Sequence, residues 1–196
     1  MSIDPEGLWV ERDGSCWLVG TAGEVEWITA ATSVGLKISS AIPPVFDSYA
    51  TVVAADTGNP EEQRRHDQAL IALVHQHSPD QRWWLGYLDT GSADIVFPDA
   101  PKVTLYADWS YVLVQAGAEQ AAHWRRAEPF GTSRLPDLIF PADRSWLVST
   151  LWDDDWTCLG GPNELVDAFL RHPDLQGRAR RVTLDQDATP PGHQAF

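Results

Sequence analysis

Three consecutive carboxylates, Asp153, Asp154 and Asp155, stand between Trp152 and Trp156, and few stretches of the chain set so much charge against so much aromatic surface. Two chemistries suit them. Adjacent carboxylates supply the oxygens that a hard cation such as calcium takes. Flanked by indoles, which anchor protein interfaces well, they also suit a docking face for a cationic macromolecule. Calcium fits poorly, because consecutive residues of an extended turn point in different directions and the alternating acid and amide ligands around a central glycine are missing. Trp152, Asp153, Asp154, Asp155 and Trp156 are therefore read as a partner-binding set, with a solvated hairpin turn as the plain structural alternative.

Arg144 is the next candidate. Between Pro141 and Trp146 it can recognise a carboxylate or phosphate; the favoured reading is structural, with Arg144 stacked on an indole and Asp143 capping the local turn. Arg144, Trp146 and His123 form the alternative, ligand-binding set. Ser145 and Cys158 are the available nucleophiles and His123 a conceivable base, but no Gly-x-Ser-x-Gly elbow accompanies them, and Gly117 stands alone where a nucleotide fingerprint needs three glycines. No catalytic residue is assigned. His75 and His77 are two apart on a predicted helix, the spacing of four that a helical zinc pair needs is missing, and there is no Cys-x-x-Cys, so neither a metal nor a cofactor is expected. Cys16 and Cys158 read as two reduced, buried thiols in preference to a disulfide.

Several elements must position these residues. Leu8–Val10 and Cys16–Val19 read as an N-terminal hairpin, followed by an apolar stretch over Val25–Ile28. Ile42-Pro43-Pro44 breaks the chain, and Val45–Ala54 resumes as an apolar segment. The clearest helix runs from Asn59–Pro60 to His77, because Asn59 can cap, Pro60 suits the first helical position and Glu62 completes the N-terminal signal. Its stripe of His66, Leu70, Leu73, Val74 and His77 predicts an amphipathic helix laid on a sheet. Four short runs, Trp83–Leu88, Ile95–Phe97, Val103–Tyr106 and Tyr111–Val114, predict an antiparallel meander. A helix over Ala118–Arg126, a strand pair over Leu138–Leu159 that turns at the aspartates and ends at Gly160-Gly161, a helix over Asn163–Arg171 and a strand over Val182–Leu184 complete the ordered part. The expected fold is α+β, mainly antiparallel sheet with two or three helices packed on one face. One domain over 1–196 is expected, with room for a small N-terminal lobe at 1–41 and an extended tail at 185–196.

A set of motifs carries a resemblance. Ile42-Pro43-Pro44-x-Phe46-x-x-Tyr49-Ala50 is followed by Leu70–Ser78, Trp83–Tyr87, Phe140-Pro141-Ala142-Asp143-Arg144-Ser145-Trp146 and Thr157-x-x-Gly160-Gly161. Their order resembles an uncharacterised actinobacterial family of cytosolic proteins with PPxFxAYA, WxGY, WPxDRxW and TxVGG segments. The resemblance spans roughly Ile42 to Leu170. The chain departs from it at Leu88 and Asp89, where a second glycine is usual, and at Phe140, which replaces a tryptophan. Some relatives look immunity-like, and the resemblance implies that class for this chain.

The charge points the same way. With 28 acidic against 14 basic side chains the formal charge is −14, which disfavours nucleic acid and anionic membrane as partners. The chain opens with neither a basic start nor an apolar stretch, and nothing in it approaches a membrane span, so a cytoplasmic setting is expected. Ten tryptophans, each ring offering roughly 150–250 Å², argue for a packed core. The functional expectation is a non-enzymatic acidic interaction protein of the toxin-immunity type that binds a basic protein. Two alternatives stand beside it: a small-ligand binder or enzyme with a tryptophan-lined pocket closed by Arg144, and a homo-oligomeric subunit that buries exposed aromatics.

Overall fold

Alternate side chains leave a strand in opposite directions, so runs such as Trp83–Leu88, apolar almost throughout, need cover on both sides. The computed structural model of the chain supplies it. The structure describes residues 2–4 (backbone only), 7–12, 14–35, 37–55, 58–89, 97, 99–106, 108–123, 135–151 and 155–186. The strands are β1 (Ser2–Asp4), β2 (Gly7–Arg12), β3 (Ser15–Val19), β4 (Ser48–Val53), β5 (Trp83–Leu88), β6 (Lys102–Leu105), β7 (Trp109–Ala116), β8 (Leu138–Pro141), β9 (Leu147–Ser149), β10 (Trp156–Gly161) and β11 (Ala179–Val182). They form one sheet in the order β1-β2-β3-β7-β5-β8-β9-β10-β4-β11. Every neighbouring pair is antiparallel. β6 also pairs antiparallel with β7, on the edge it shares with β3.

Five helices among the described residues are α1 (Ala22–Thr29), α2 (Ile38–Ala41), α3 (Pro60–His77), α4 (Ala118–Ala122) and α5 (Asn163–Arg171). The pleat sorts the core into two layers. Trp83, Leu85 and Tyr87 of β5 join Leu70, Val74, Ala121, Leu165 and Phe169 under α3, α4 and α5. Trp84 and Leu88 face the other way, with Val25, Ile28, Ile38 and Ala41 of α1 and α2. The fold is thus α+β and predominantly antiparallel sheet, as expected, but its helices cover both faces and not one.

Local chemistry accounts for the helices. Asn59 Oδ1 accepts the Glu62 N–H at 3.2 Å and Pro60 opens α3, which runs to His77 as its sequence predicts. The helix closes where the Ser78 N–H reaches the carbonyls of Val74 and His75. α5 is strongly amphipathic and buries Leu165, Val166 and Phe169, each contributing about 1.5–3 kcal/mol. α1 replaces the second apolar stretch of the expected N-terminal region. Thr21 and Glu24 form a reciprocal capping box, the Glu24 carboxylate accepting the Thr21 N–H at 2.6 Å.

Four further expectations change. β5 and β7 are direct neighbours, with β6 beyond β7, so the predicted meander is rearranged; its Ile95–Val96 portion lies outside the described residues. β10 continues through Gly160 and Gly161, because β4 pairs with both. The last strand begins at Ala179 and ends at Val182, held by its register against β4. Cys158 is buried, but Cys16 is exposed near the end of the β2–β3 hairpin; neither thiol is in a disulfide.

Candidate functional site

After β9 the next described strand, β10, lies beside β4. Trp156 pairs with Val53, and the Ala54 N–H donates to the Asp155 carbonyl at 2.7 Å, so the last residue of the acidic run is fastened to the far strand. The hydroxyls of Thr150 and Thr157 share a hydrogen bond of 2.9 Å. Asp155 is exposed, whereas Trp156 is only 7% exposed and packs in the α1–α2 layer with Tyr49 and Cys158. This corrects the expectation for Trp156. Its ring is part of the core and not a contact surface, because its place on β10, paired with β4, turns it inward. Trp152, Asp153 and Asp154 lie outside the described residues.

The alternative set is dispersed. Asp143 and Arg144 form a tight turn after β8, with the Ser145 N–H donating to Asp143 Oδ1 at 3.0 Å and Arg144 at a left-handed φ of 59°. Gln81 donates its side-chain amide to Asp143 and accepts the Asp143 N–H at 3.3 Å. Partial burial pushes the Asp143 carboxyl up, but the hydrogen bonds from Gln81 and Ser145 prevail and hold it below its ordinary value. The Arg144 guanidinium lies 5.7 Å from the Trp27 ring centroid, and Trp27 meets Phe140 and Phe46 edge-on at 5.6 and 6.1 Å. Trp146 points into the other layer. Its indole N–H donates to Ser78 Oγ at 2.9 Å and its ring meets Trp83 edge-on at 5.3 Å. His123 is exposed at the end of α4, with Nδ1 2.8 Å from the Glu119 carbonyl. Arg144 and Trp146 therefore serve opposite faces of the sheet, and His123 joins neither. Cys158 is buried in the α1–α2 layer while His123 ends a helix on the other face, so this base and this nucleophile are not brought together.

Two polar constellations have no local sequence signal. Tyr106, at a left-handed φ of 53° after β6, sends its hydroxyl across the α1–α2 layer to the Ala41 carbonyl at 3.2 Å and to Ser149 Oγ at 2.7 Å. With one proton to give, Tyr106 donates to Ala41 and accepts from Ser149. Burial raises its pKa, and the Ser149 contact opposes that only in part. Tyr111 stacks edge-on against Tyr106 at 6.0 Å, and its buried hydroxyl has no hydrogen-bond partner among the described residues. Its pKa is raised by burial and then by Tyr106 and Asp137. Both phenols stay protonated and act as fixed dipoles, not bases.

The second constellation lies under α3. Arg178 Nη1 donates to the Val53 carbonyl at 2.6 Å and sits 2.7 Å from His66 Nδ1. Nη2 donates to the Asp174 carbonyl, and Nε lies 3.9 Å from the Glu62 carboxylate. A guanidinium has no acceptor, so His66 Nδ1 must be the acceptor and the imidazole proton sits on Nε2. His66 is 3% exposed. Burial, and then the Arg178 charge, lower its pKa to about 4, so the ring is neutral near pH 7.

Among the described residues, no group of three or more His, Cys, Asp or Glu side chains is placed to hold a metal ion, and no helix is long and apolar enough to cross a membrane. No protein-family model, curated protein or solved structure matches the chain.

Proposed function

We propose that this chain is a non-enzymatic acidic binding protein of the immunity type, acting in the cytoplasm, which holds a basic protein through the carboxylates of residues 153–155. The observation that supports the reading is the internal engagement of the cations. Arg64, Arg65, Arg171, Arg178, Arg181 and Lys102 each pair with a carboxylate of the same chain. Arg144 lies over an indole and Arg12 over the Phe97 ring at 5.5 Å. The 28 acidic side chains outnumber the 14 basic ones whatever their pairing, so an incoming cation meets an acidic excess of 14 charges. The hydrogen bond from Ala54 fixes the backbone of Asp155, which limits the ordering cost of docking at that residue.

The test uses a labelled lysine-rich peptide as the cationic probe, with association followed by stopped flow at low and moderate salt. Neutralising the turn as Asp153→Asn, Asp154→Asn and Asp155→Asn should slow association by about tenfold at low salt. An equal change of net charge elsewhere, Glu26→Gln, Asp47→Asn and Glu164→Gln, should slow it far less. Equal slowing by the two triples would leave a diffuse acidic surface and overturn the assignment to the turn.

A further inference from the structure

We propose that His66 and Arg178 form an acid-sensitive latch on the edge of the sheet, closing the first end of the β4–β11 pair while His66 is neutral and opening it when His66 takes up a proton. Among the described residues β11 is an edge strand paired with β4 alone, and it starts at Ala179, immediately after Arg178. At that point the chain is clasped twice. The Val53 N–H donates to the Arg178 carbonyl at 3.0 Å, and the Arg178 guanidinium returns a bond to the Val53 carbonyl. The guanidinium keeps this position because His66 Nδ1 accepts a second bond from the same Nη1 and the Asp174 carbonyl a third from Nη2.

The clasp depends on one lone pair. Protonated His66 would point an N–H at a guanidinium nitrogen 2.7 Å away, with two positive charges and no acceptor between them. Water cannot relieve this readily, since the ring is buried. The charged groups facing the pair are Glu62 and Arg65 from α3, Asp174 and His172 from the turn that follows α5, and Arg178 itself. Glu62 and Asp174 stand on the arginine, and Arg65 is paired with Asp174 at 3.4 Å. Among the described residues, none of these groups accepts a hydrogen bond from the imidazole.

The sign follows from linkage. The closed form lowers the His66 pKa from 6.5 to about 4, so it binds fewer protons than the opened form across that interval. Closure is fully favoured above about pH 6.5 and is lost progressively as the pH falls toward 4. The Val53 amide reports directly on the latch, because its own hydrogen bond crosses it.

The experiment is native-state hydrogen exchange by NMR on the wild-type protein and on His66→Asn, whose amide oxygen can accept from Arg178 but does not titrate. Between about pH 7 and pH 5 the protection factor of the wild-type Val53 amide should fall about twentyfold, the ratio set by the two His66 pKa values. At low urea that exchange should depend on denaturant far less than exchange of the β5 and β7 amides, which marks local opening. In His66→Asn the fall should be absent. A flat wild-type profile, an equal fall in His66→Asn, or a urea dependence as steep as that of β5 and β7 would each overturn the latch. If His66→Asn does not fold, the wild-type profile together with an imidazole titration decides the matter: a native His66 that titrates at its ordinary value refutes the proposal.

Discussion

The hydrogen bond from the Trp146 indole to Ser78 joins the turn after β8 to the closing residue of α3, and its worth can be measured by breaking it from either end. Trp146 is fully buried and Ser78 nearly so, at 5% exposure. Ser78→Ala leaves the indole N–H inside the protein with no acceptor, which should cost about 1–3 kcal/mol. Trp146→Phe removes the donor and part of a ring that packs on Trp83, and leaves the serine hydroxyl without its donor; the cost should be about 2–4 kcal/mol. In the phenylalanine background the serine has already lost its partner, so adding Ser78→Ala should cost nothing or restore some stability. The double-mutant cycle should therefore show a coupling at least as large as the wild-type cost of Ser78→Ala, about 1–3 kcal/mol. Urea unfolding followed by far-ultraviolet circular dichroism is the assay, since it does not depend on the tryptophan being changed, and the four denaturant slopes must agree. A Ser78→Ala cost that is the same in both backgrounds would refute the bond as a stabilising contact.

Gly160→Ala should destabilise the protein by about 1–3 kcal/mol in the same assay, because a Cβ there would fall 2.4 Å from Phe46 Cδ2 and 2.5 Å from Ile42 Cγ2. A neutral result would mean that the segment after α2 moves freely on the sheet. Tyr106→Phe strips the Ala41 carbonyl and the buried Ser149 hydroxyl of a shared partner, and a loss of about 1–3 kcal/mol in thermal unfolding is expected; no loss would show that these groups are satisfied in another way.

How legible was this fold? Where the signals are local, the reading holds. Asn59, Pro60 and Glu62 mark the start of α3, and the Trp83–Leu88 run is β5. α1 was hidden because Glu24-Val25-Glu26-Trp27 alternates polar and apolar residues, which imitates a strand, although Thr21 and Glu24 already spell a capping box. Cover on both faces is also written in the sequence, against the expectation of helices on one face: Trp83–Leu88 has no charged side chain, and a strand exposed on one face would alternate. The aspartates that precede Trp156 suggest a displayed ring. Its inward direction follows from pairing with a strand about a hundred residues earlier, which short-range patterning does not encode. The same holds for His66 and Arg178, which are 112 residues apart and meet only because β11 returns to β4 beneath α3.

β7 carries two strands along a single edge, and this fixes the alignment of the N-terminal ribbon. β3 meets β7 at Leu18↔Gln115 and Val19↔Val114, and β6 begins just beyond, at Lys102↔Val112. A slide of β3 by one pleat repeat toward Trp109 would set Gly20 opposite Tyr111, a place Val103 already occupies. β6 is thus a doorstop. It lets a ribbon attached through so short a ladder keep a single alignment without a long run of paired residues to enforce it.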